Sequence, residues 1–202
     1  MTLPEQLRQY SPFNEQEARD LPLMRRALRT MPDVLTRENG ICHFTASNWI
    51  TNPGRDRILM VYHNIYKHWA WTGGHADGEA DLRVVALREA KEETGLTELR
   101  PLYDGVFSIQ ALTVDHHIRR GRYVASHLHL DCCFLWEADE AAPLRSKPDE
   151  NAGVRWVPID EVLETANERV MDIVYGKLNE KLTLLNGPRI EREGPMDLRC
   201  KS

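Results

Sequence analysis

The chain has 202 residues, with 31 Asp and Glu against 26 Lys and Arg and a formal net charge of −5. That length holds one domain, bare or extended, with a substantial core. The acidic balance argues against non-specific nucleic-acid binding, which needs basic stripes. No apolar run reaches the roughly 18 residues of a transmembrane helix, so no membrane partner is expected. Residues 1–6 lack the charged-then-apolar layout of a signal peptide. Cys42, Cys132, Cys133 and Cys200 show no C-x-x-C spacing, and reduced thiols in a cytoplasmic protein are the expectation.

In chain order, residues 4–38 read as helical. Asn14 with Glu17 three residues on has the form of a capping box. Pro22 interrupts, so two short helices are expected, with Asp20 capping the second. Strands follow over 40–50, 57–62 and 69–72, with a Pro53-Gly54 turn between the first two. Gly73, Gly74 and Gly78 form a flexible turn, and a helix is predicted from about 81 to 94, capped by Asp81 and stopped at Gly95. Its apolar residues Leu82, Val84, Val85, Ala86 and Leu87 suggest first turns buried on both sides, with the charged end opening into a cleft. Two long strands are expected at 102–114 and 123–137, joined by a basic loop carrying Arg119, Arg120 and Arg122. A polar loop at 143–153, a short strand at 154–157, helices at 160–167 and 171–185, and a polar tail at 187–202 complete the chain. The pattern is α+β: a central mixed sheet between helices.

The most informative stretch is residues 73–96, G-G-H-A-D-G-E-A-D-L-R-V-V-A-L-R-E-A-K-E-E-T-G-L. Glu89, Glu92 and Glu93 stand at helical spacings that place them near one another. Like charges this close repel, and a hard divalent cation with oxygen ligands removes the conflict. This segment resembles the Nudix box: Gly, five residues, Glu, seven residues, Arg-Glu, an aliphatic, any residue, Glu-Glu, any residue, Gly, an aliphatic. Counted from Gly74, the second half matches at Arg88, Glu89, Ala90, Glu92, Glu93, Gly95 and Leu96. The first half departs from it: position 80 is Ala, Glu79 falls one residue early, and Thr72 stands where a proline is common. The runs 43–47 and 154–162 resemble the family's opening strand and its last strand with the start of its closing helix. A charge-rich helix also reads as a solvated face with pairs such as Arg88–Glu92. The Gly-Gly turn, the terminal Gly-Leu and the downstream Arg-Trp-Val favour the box.

The resemblance implies an α/β/α sandwich over residues 40–186, a helical extension at 1–39, and metal-dependent hydrolysis of a nucleoside diphosphate linked to another group. It implies Glu89, Glu92 and Glu93 as ligands of Mg²⁺ or Mn²⁺, with the Gly74 carbonyl as a further ligand. Arg88 would orient Glu89 or Glu92, and Glu150 is the candidate further acid, as ligand or base. A nucleotide sensor without catalysis is the alternative, and retention of the glutamates favours the enzyme. A diphosphate isomerase would want a cysteine beside the glycine turn, and none stands there. The N-terminal helices either cover the cleft or form a homodimer interface.

Four further features have two readings each. His127, His129 and Asp131 share one face of a strand; they line the substrate cleft or, with no fourth ligand in view, bind a metal. His75 touches phosphate or lies on the surface. The arginine loop meets the substrate's phosphates or is an exposed hairpin tip. Trp69 and Trp71 stack on a base or pack in the core.

Overall fold

The computed structural model describes residues 1–65, 67–119 and 121–186; Tyr66, Arg120, and the tail with Cys200 lie outside the described residues. Two helices open the chain, α1 (Leu3–Gln9) and α2 (Glu15–Thr30). Next come β1 (Cys42–Thr51), β2 (Arg57–His63), β3 (Trp69–Ala70) and β4 (Thr72–His75), then α3 (Leu82–Thr94). β5 (Arg100–Pro101), β6 (Ser108–Val114), β7 (His117–Arg119), β8 (Arg122–Val124), β9 (His127–Glu137) and β10 (Asn151–Pro158) follow. A 3₁₀ turn then leads into α4 (Val162–Ala166) and α5 (Arg169–Asn186).

β1 and β9 form the centre of a mixed sheet. They run parallel, from Cys42 beside Leu128 to Thr51 beside Glu137, while β2, β4, β5 and β6 pair antiparallel to one or the other. Every residue of β1 is buried, as a strand covered on both faces must be. Phe44, Ala46, Leu130, Cys132 and Phe134 pack with α1, α2 and α3 on one face. Trp49, Cys133 and Leu135 pack with α4 and α5 on the other. The expected helix–sheet–helix sandwich is the observed architecture, and Cys132 and Cys133 face opposite layers as alternation requires.

Three sequence expectations need correction. Pro22 lies inside a continuous α2. Both Pro22 and Ala18, whose carbonyl the proline leaves unbonded, are exposed, so water can serve that oxygen while Leu21, Met24 and Ala27 anchor the helix in the core. Asp20 therefore caps nothing; its carboxylate accepts from Gln16 and from the Ala111 N–H. The first turns of α3 are buried on one side only, since Val84 is 51% exposed. The expected 115–122 loop holds strand β7, which pairs with β8 starting at Arg122, and Arg122 is exposed there.

Asn14 does cap α2, accepting from the Glu17 N–H, but the Glu17 side chain does not reach back to complete the box. It is 0% exposed and accepts instead from Tyr10 Oη at 2.8 Å, the Phe13 N–H at 2.7 Å and Ser108 Oγ at 2.9 Å. Lys177 and Lys181 of α5 each stand 3.2 Å from its Oε1. Burial alone would raise this carboxyl, but Lys181 and Lys177 outweigh it and hold it below the usual glutamate range. Removing one partner of a buried ion pair leaves charge uncompensated, at about 3–5 kcal/mol. Glu17→Ala is expected to destabilise the fold by that amount in urea unfolding; a loss under about 1 kcal/mol would show that water reaches the two lysines.

Asp131 on β9 is 2% exposed and accepts from Thr45 Oγ1 at 2.8 Å, Ser47 Oγ at 2.6 Å and the Gln110 amide. Burial raises its carboxyl from 3.8 to about 6, against the lowering by those hydrogen bonds. A carboxyl raised on folding favours the native state fully below its unfolded value, and that benefit is lost as pH rises through about 6. The difference amounts to about 3 kcal/mol. Asp131→Asn is therefore expected to match the parent near pH 4 and to gain about 3 kcal/mol relative to it by pH 8. Parallel stability–pH profiles for the two proteins would contradict this.

Candidate metal and catalytic site

α3 begins with Asp81 accepting from the Arg83 N–H at 3.0 Å and ends at Gly95, whose φ of 75° is the left-handed stop. Glu79 accepts from the Asp81 N–H at 2.9 Å, so it shapes the turn that enters the helix. The buried stripe of α3 comprises Leu82, Val85, Ala86, Ala90 and Glu93. That stripe carries the acids to the sheet. Glu93 Oε1 accepts from the Gly73 N–H at 2.9 Å. A Cβ added at Gly74 would stand 2.5 Å from Glu89 Cδ, so the backbone at 74 approaches α3 as only glycine can.

One carboxylate oxygen from each of Glu89, Glu93 and Glu150 lies within 4.8 Å of the other two. Glu150 reaches this group from the loop before β10, which is pinned to α3 by Asn151. The Asn151 side chain is fully buried and donates from Nδ2 to the Glu93 carbonyl at 3.0 Å. Glu92 is exposed and stands outside the three. Lys147 Nζ links it to them, donating to Glu92 Oε2 and to Glu150 Oε1 at 2.9 Å each. Arg88 Nη2 donates to Glu89 Oε1 at 3.1 Å.

Burial pushes the Glu93 carboxyl up to about 8; the Gly73 N–H opposes this, while Glu150 and Glu89 reinforce it. Burial raises Glu89 as well, against its bond from Arg88. The hydrogen bond with Glu92 is the main cause holding the Lys147 ammonium above its usual range. Three clustered carboxylates, one 4% exposed, are the donor set of a hard, oxygen-preferring dication, and they fit one. Lys147 supplies positive charge at the rim of the same cluster.

Helical spacing points to Glu89, Glu92 and Glu93, and the family resemblance to Glu150, but neither reveals that Glu92 diverges from the other three. Lys147 went unrecognised; its sole signal is membership of the loop that holds Glu150. Of the histidines, His63 accepts from the Ile65 N–H at 3.1 Å and His68 pairs with Glu168 at 3.2 Å. Trp69 lies under the Arg155 guanidinium, 4.3 Å from the ring centroid, and Trp71 meets Tyr175 edge-on at 5.5 Å; both pack against the α5-side core. The trio His127, His129 and Asp131 does not form a site, because Asp131 is turned into its own buried network. His129 instead has His75 and His43 beside it, rings that strand alternation on β9 alone could not bring into view.

Comparison with known proteins places this geometry. The NUDIX domain family matches residues 43–175. A curated CMP-5'-(N-acetyl-N-hydroxy-3-aminopropyl)phosphonate hydrolase from Streptomyces rubellomurinus is 29% identical over 121 residues, 57% of this chain. The match spans about half, 52%, of that relative's length. Among solved structures, a C. elegans Ap4A hydrolase binary complex superposes with a TM-score of 0.52 at 18% identity, over 69% of this chain and 98% of that one. A Nudix hydrolase from M. smegmatis gives 0.52 at 20% identity, over 74% and 90%. At these identities the structural likeness speaks to the fold.

Gly74→Ala tests the close approach. The new methyl would displace the Glu89 carboxylate, so any divalent-cation affinity of the cluster, measured by calorimetry, is expected to fall at least ~10-fold, the scale of disturbing a ligand's support. Gly40→Ala is the control: no neighbouring atom lies within 4 Å of a Cβ there, and its φ is not in the left-handed region. Equal affinities in the Gly74→Ala protein and the parent would disprove the crowding.

Proposed function

With a NUDIX domain over residues 43–175, the chain belongs to the Nudix family and is a hydrolase of that type; from that premise we propose that it cleaves the phosphoanhydride bridge of a nucleoside diphosphate linked to another group, with Mg²⁺ or Mn²⁺. The observation that carries this reading is the Glu89–Glu93–Glu150 cluster, built around a carboxyl whose burial favours its neutral form and whose charge a cation would offset. A nucleotide sensor gains nothing from such a cluster, whose repulsion weakens the metal-free fold. The curated relative's name describes a nucleoside monophosphate joined to a phosphonate, and substrates of that construction, a nucleotide joined to a second phosphorus acid, are the first to test.

In this reading Glu89 and Glu93 hold the metal, with the Gly74 backbone beside them. The bound dication would neutralise charge developing on the phosphoryl oxygens and acidify water. Arg88 keeps Glu89 oriented by a charge-assisted hydrogen bond, and the Gly73 N–H does the same for Glu93. Glu150, with its side chain 41% exposed, faces the solvent side of the cluster and is placed to take the proton of the attacking water. Lys147 bridges Glu150 and Glu92, and its ammonium is positioned to meet substrate phosphate once the carboxylates turn to metal.

The decisive experiment is a screen of nucleoside di- and triphosphates, dinucleotides, nucleotide sugars and nucleotide–phosphonates for Mg²⁺-dependent hydrolysis. Glu93→Gln is expected to lower turnover at least ~100-fold, the scale of a lost acid–base or ligand contribution, and Glu92→Gln, which lies outside the cluster, is expected to lower it by less. Glu150→Gln is expected to lower turnover as well, with folding intact. Near-parent turnover in Glu93→Gln, with folding intact, would sink the assignment.

A further inference from the structure

The sheet face turned away from α3 carries a second set of donors. His43 lies on β1, His75 on β4, and His127 and His129 on β9. The register puts His43 beside His129 and Thr45 beside His75. Successive residues of a strand point to opposite faces. Gly74 faces the Glu89 carboxylate, so His75 faces the other way. One ring nitrogen from each of His43, His75 and His129 lies within 4.8 Å of the others. His129 Nε2 is 3.2 Å from His75 Nε2 and 3.3 Å from His127 Nε2.

Hydrogen bonding among the rings does not account for this arrangement. A neutral imidazole nitrogen either donates once or accepts once, so His129 Nε2 cannot serve two neighbouring nitrogens well. The outer contacts fix two of the tautomers. His43 Nδ1 lies 3.1 Å from the Asn39 carbonyl, and His127 Nδ1 lies 2.8 Å from the Ala125 carbonyl. A carbonyl only accepts, so both rings carry the proton on Nδ1 and a lone pair on Nε2. His43 is 4% exposed, and its Nε2 has no hydrogen-bond partner among the described residues.

An N–H given to a backbone carbonyl behind an inward lone pair is how metal-bound histidines are oriented. Two nitrogens each 2.0–2.1 Å from a tetrahedral ion stand roughly 3.3 Å apart, which matches the two Nε2 separations. Burial, then His75, His43 and His127, pull the His129 imidazolium down to about 2, so the ring stays in its neutral, ligating form.

We propose that His43, His75 and His129, with His127 closing the open side, bind a first-row transition dication of the zinc type, on the sheet face opposite the carboxylate cluster. Imidazole suits such ions, and carboxylate suits magnesium, so the two sets would take different metals. An ion held here would fasten β1, β4 and β9 together.

The test uses the full chain, stripped with chelator and then dialysed against Zn²⁺ or Co²⁺ in excess Mg²⁺. One Zn²⁺ per chain is expected to remain, and Co²⁺ should give the intense visible absorption of tetrahedral nitrogen coordination. His129→Ala should remove that absorption and weaken Zn²⁺ binding by more than the roughly 10–100-fold cost of losing an outer-shell partner. Glu89→Gln should leave both intact. If His129→Ala does not fold, the half-exposed His75→Gln and zinc-edge X-ray absorption of the parent decide, three or more imidazole nitrogens being the supporting result. No Zn²⁺ uptake, a six-coordinate oxygen spectrum, or uptake lost in Glu89→Gln but kept in His75→Gln would each overturn the proposal.

Discussion

The backbone of β4 runs against α3 with no room for a side chain at Gly74, and much of the site's geometry follows from that approach. It lets the Gly73 N–H reach Glu93 and brings Glu89 beside the strand. Both acids are thereby drawn out of water, and burial raises both carboxyls. Helix propensity would not choose such a cluster, since acids spaced like Glu89 and Glu93 repel. The conflict is held in place by the apolar stripe beneath it: Leu82, Val85, Ala86 and Ala90 bind α3 to the sheet, and the left-handed turn at Gly95 ends the helix where the loop of Glu150 can close over it. The fold spends packing energy to keep unfavourable charge together, as sites prepared for a cation do.

Local features were the legible ones. Asp81 and Gly95 bound α3 because capping depends on a residue and its immediate neighbours. The sandwich was legible because β1 and β9 are long, β-rich and apolar on alternate positions. Failures came where distant residues decide. Pro22 breaks helices in isolation, yet three core side chains and an exposed carbonyl let α2 continue. Val84 looked like core because it is apolar, but it is 51% exposed, and among the described residues no element covers that side of α3. Glu17 was readable as half of a capping box and proves to be the centre of a buried network joining α2, β6 and α5, which depends on lysines 160 and more positions away.

The acidic site shows the same division. Helical spacing places Glu89, Glu92 and Glu93 near one another but cannot separate Glu92 from Glu93. The loop at 147–151 does so: Lys147 draws Glu92 outward and Asn151 anchors the loop at the Glu93 carbonyl. Glu150 was nameable from its position before the last strand, whereas the ammonium next to it carried no signal of its own.

The odd-numbered face of β1 and β9 is unusual for a doubly covered sheet. Where apolar contacts would be expected, it presents His43 with His129 and Thr45 with Asp131, then Ser47 with Cys133, in register. Buried polar groups persist only where partners satisfy them, and Asp131 has three. His43 is equally buried, and its Nε2 has no partner among the described residues. What keeps that set apart from the carboxylates is the alternation of a single short strand. Gly74 and His75 are neighbours in sequence and face opposite layers, and a one-residue slip of β4 would exchange them. The slip is opposed on both sides: a side chain turned toward α3 would collide with Glu89, and the pairing of Thr45 with His75 through Asn48 with Thr72 would be lost. The register of four residues thus separates an oxygen-donor site from a nitrogen-donor site across the thickness of one sheet.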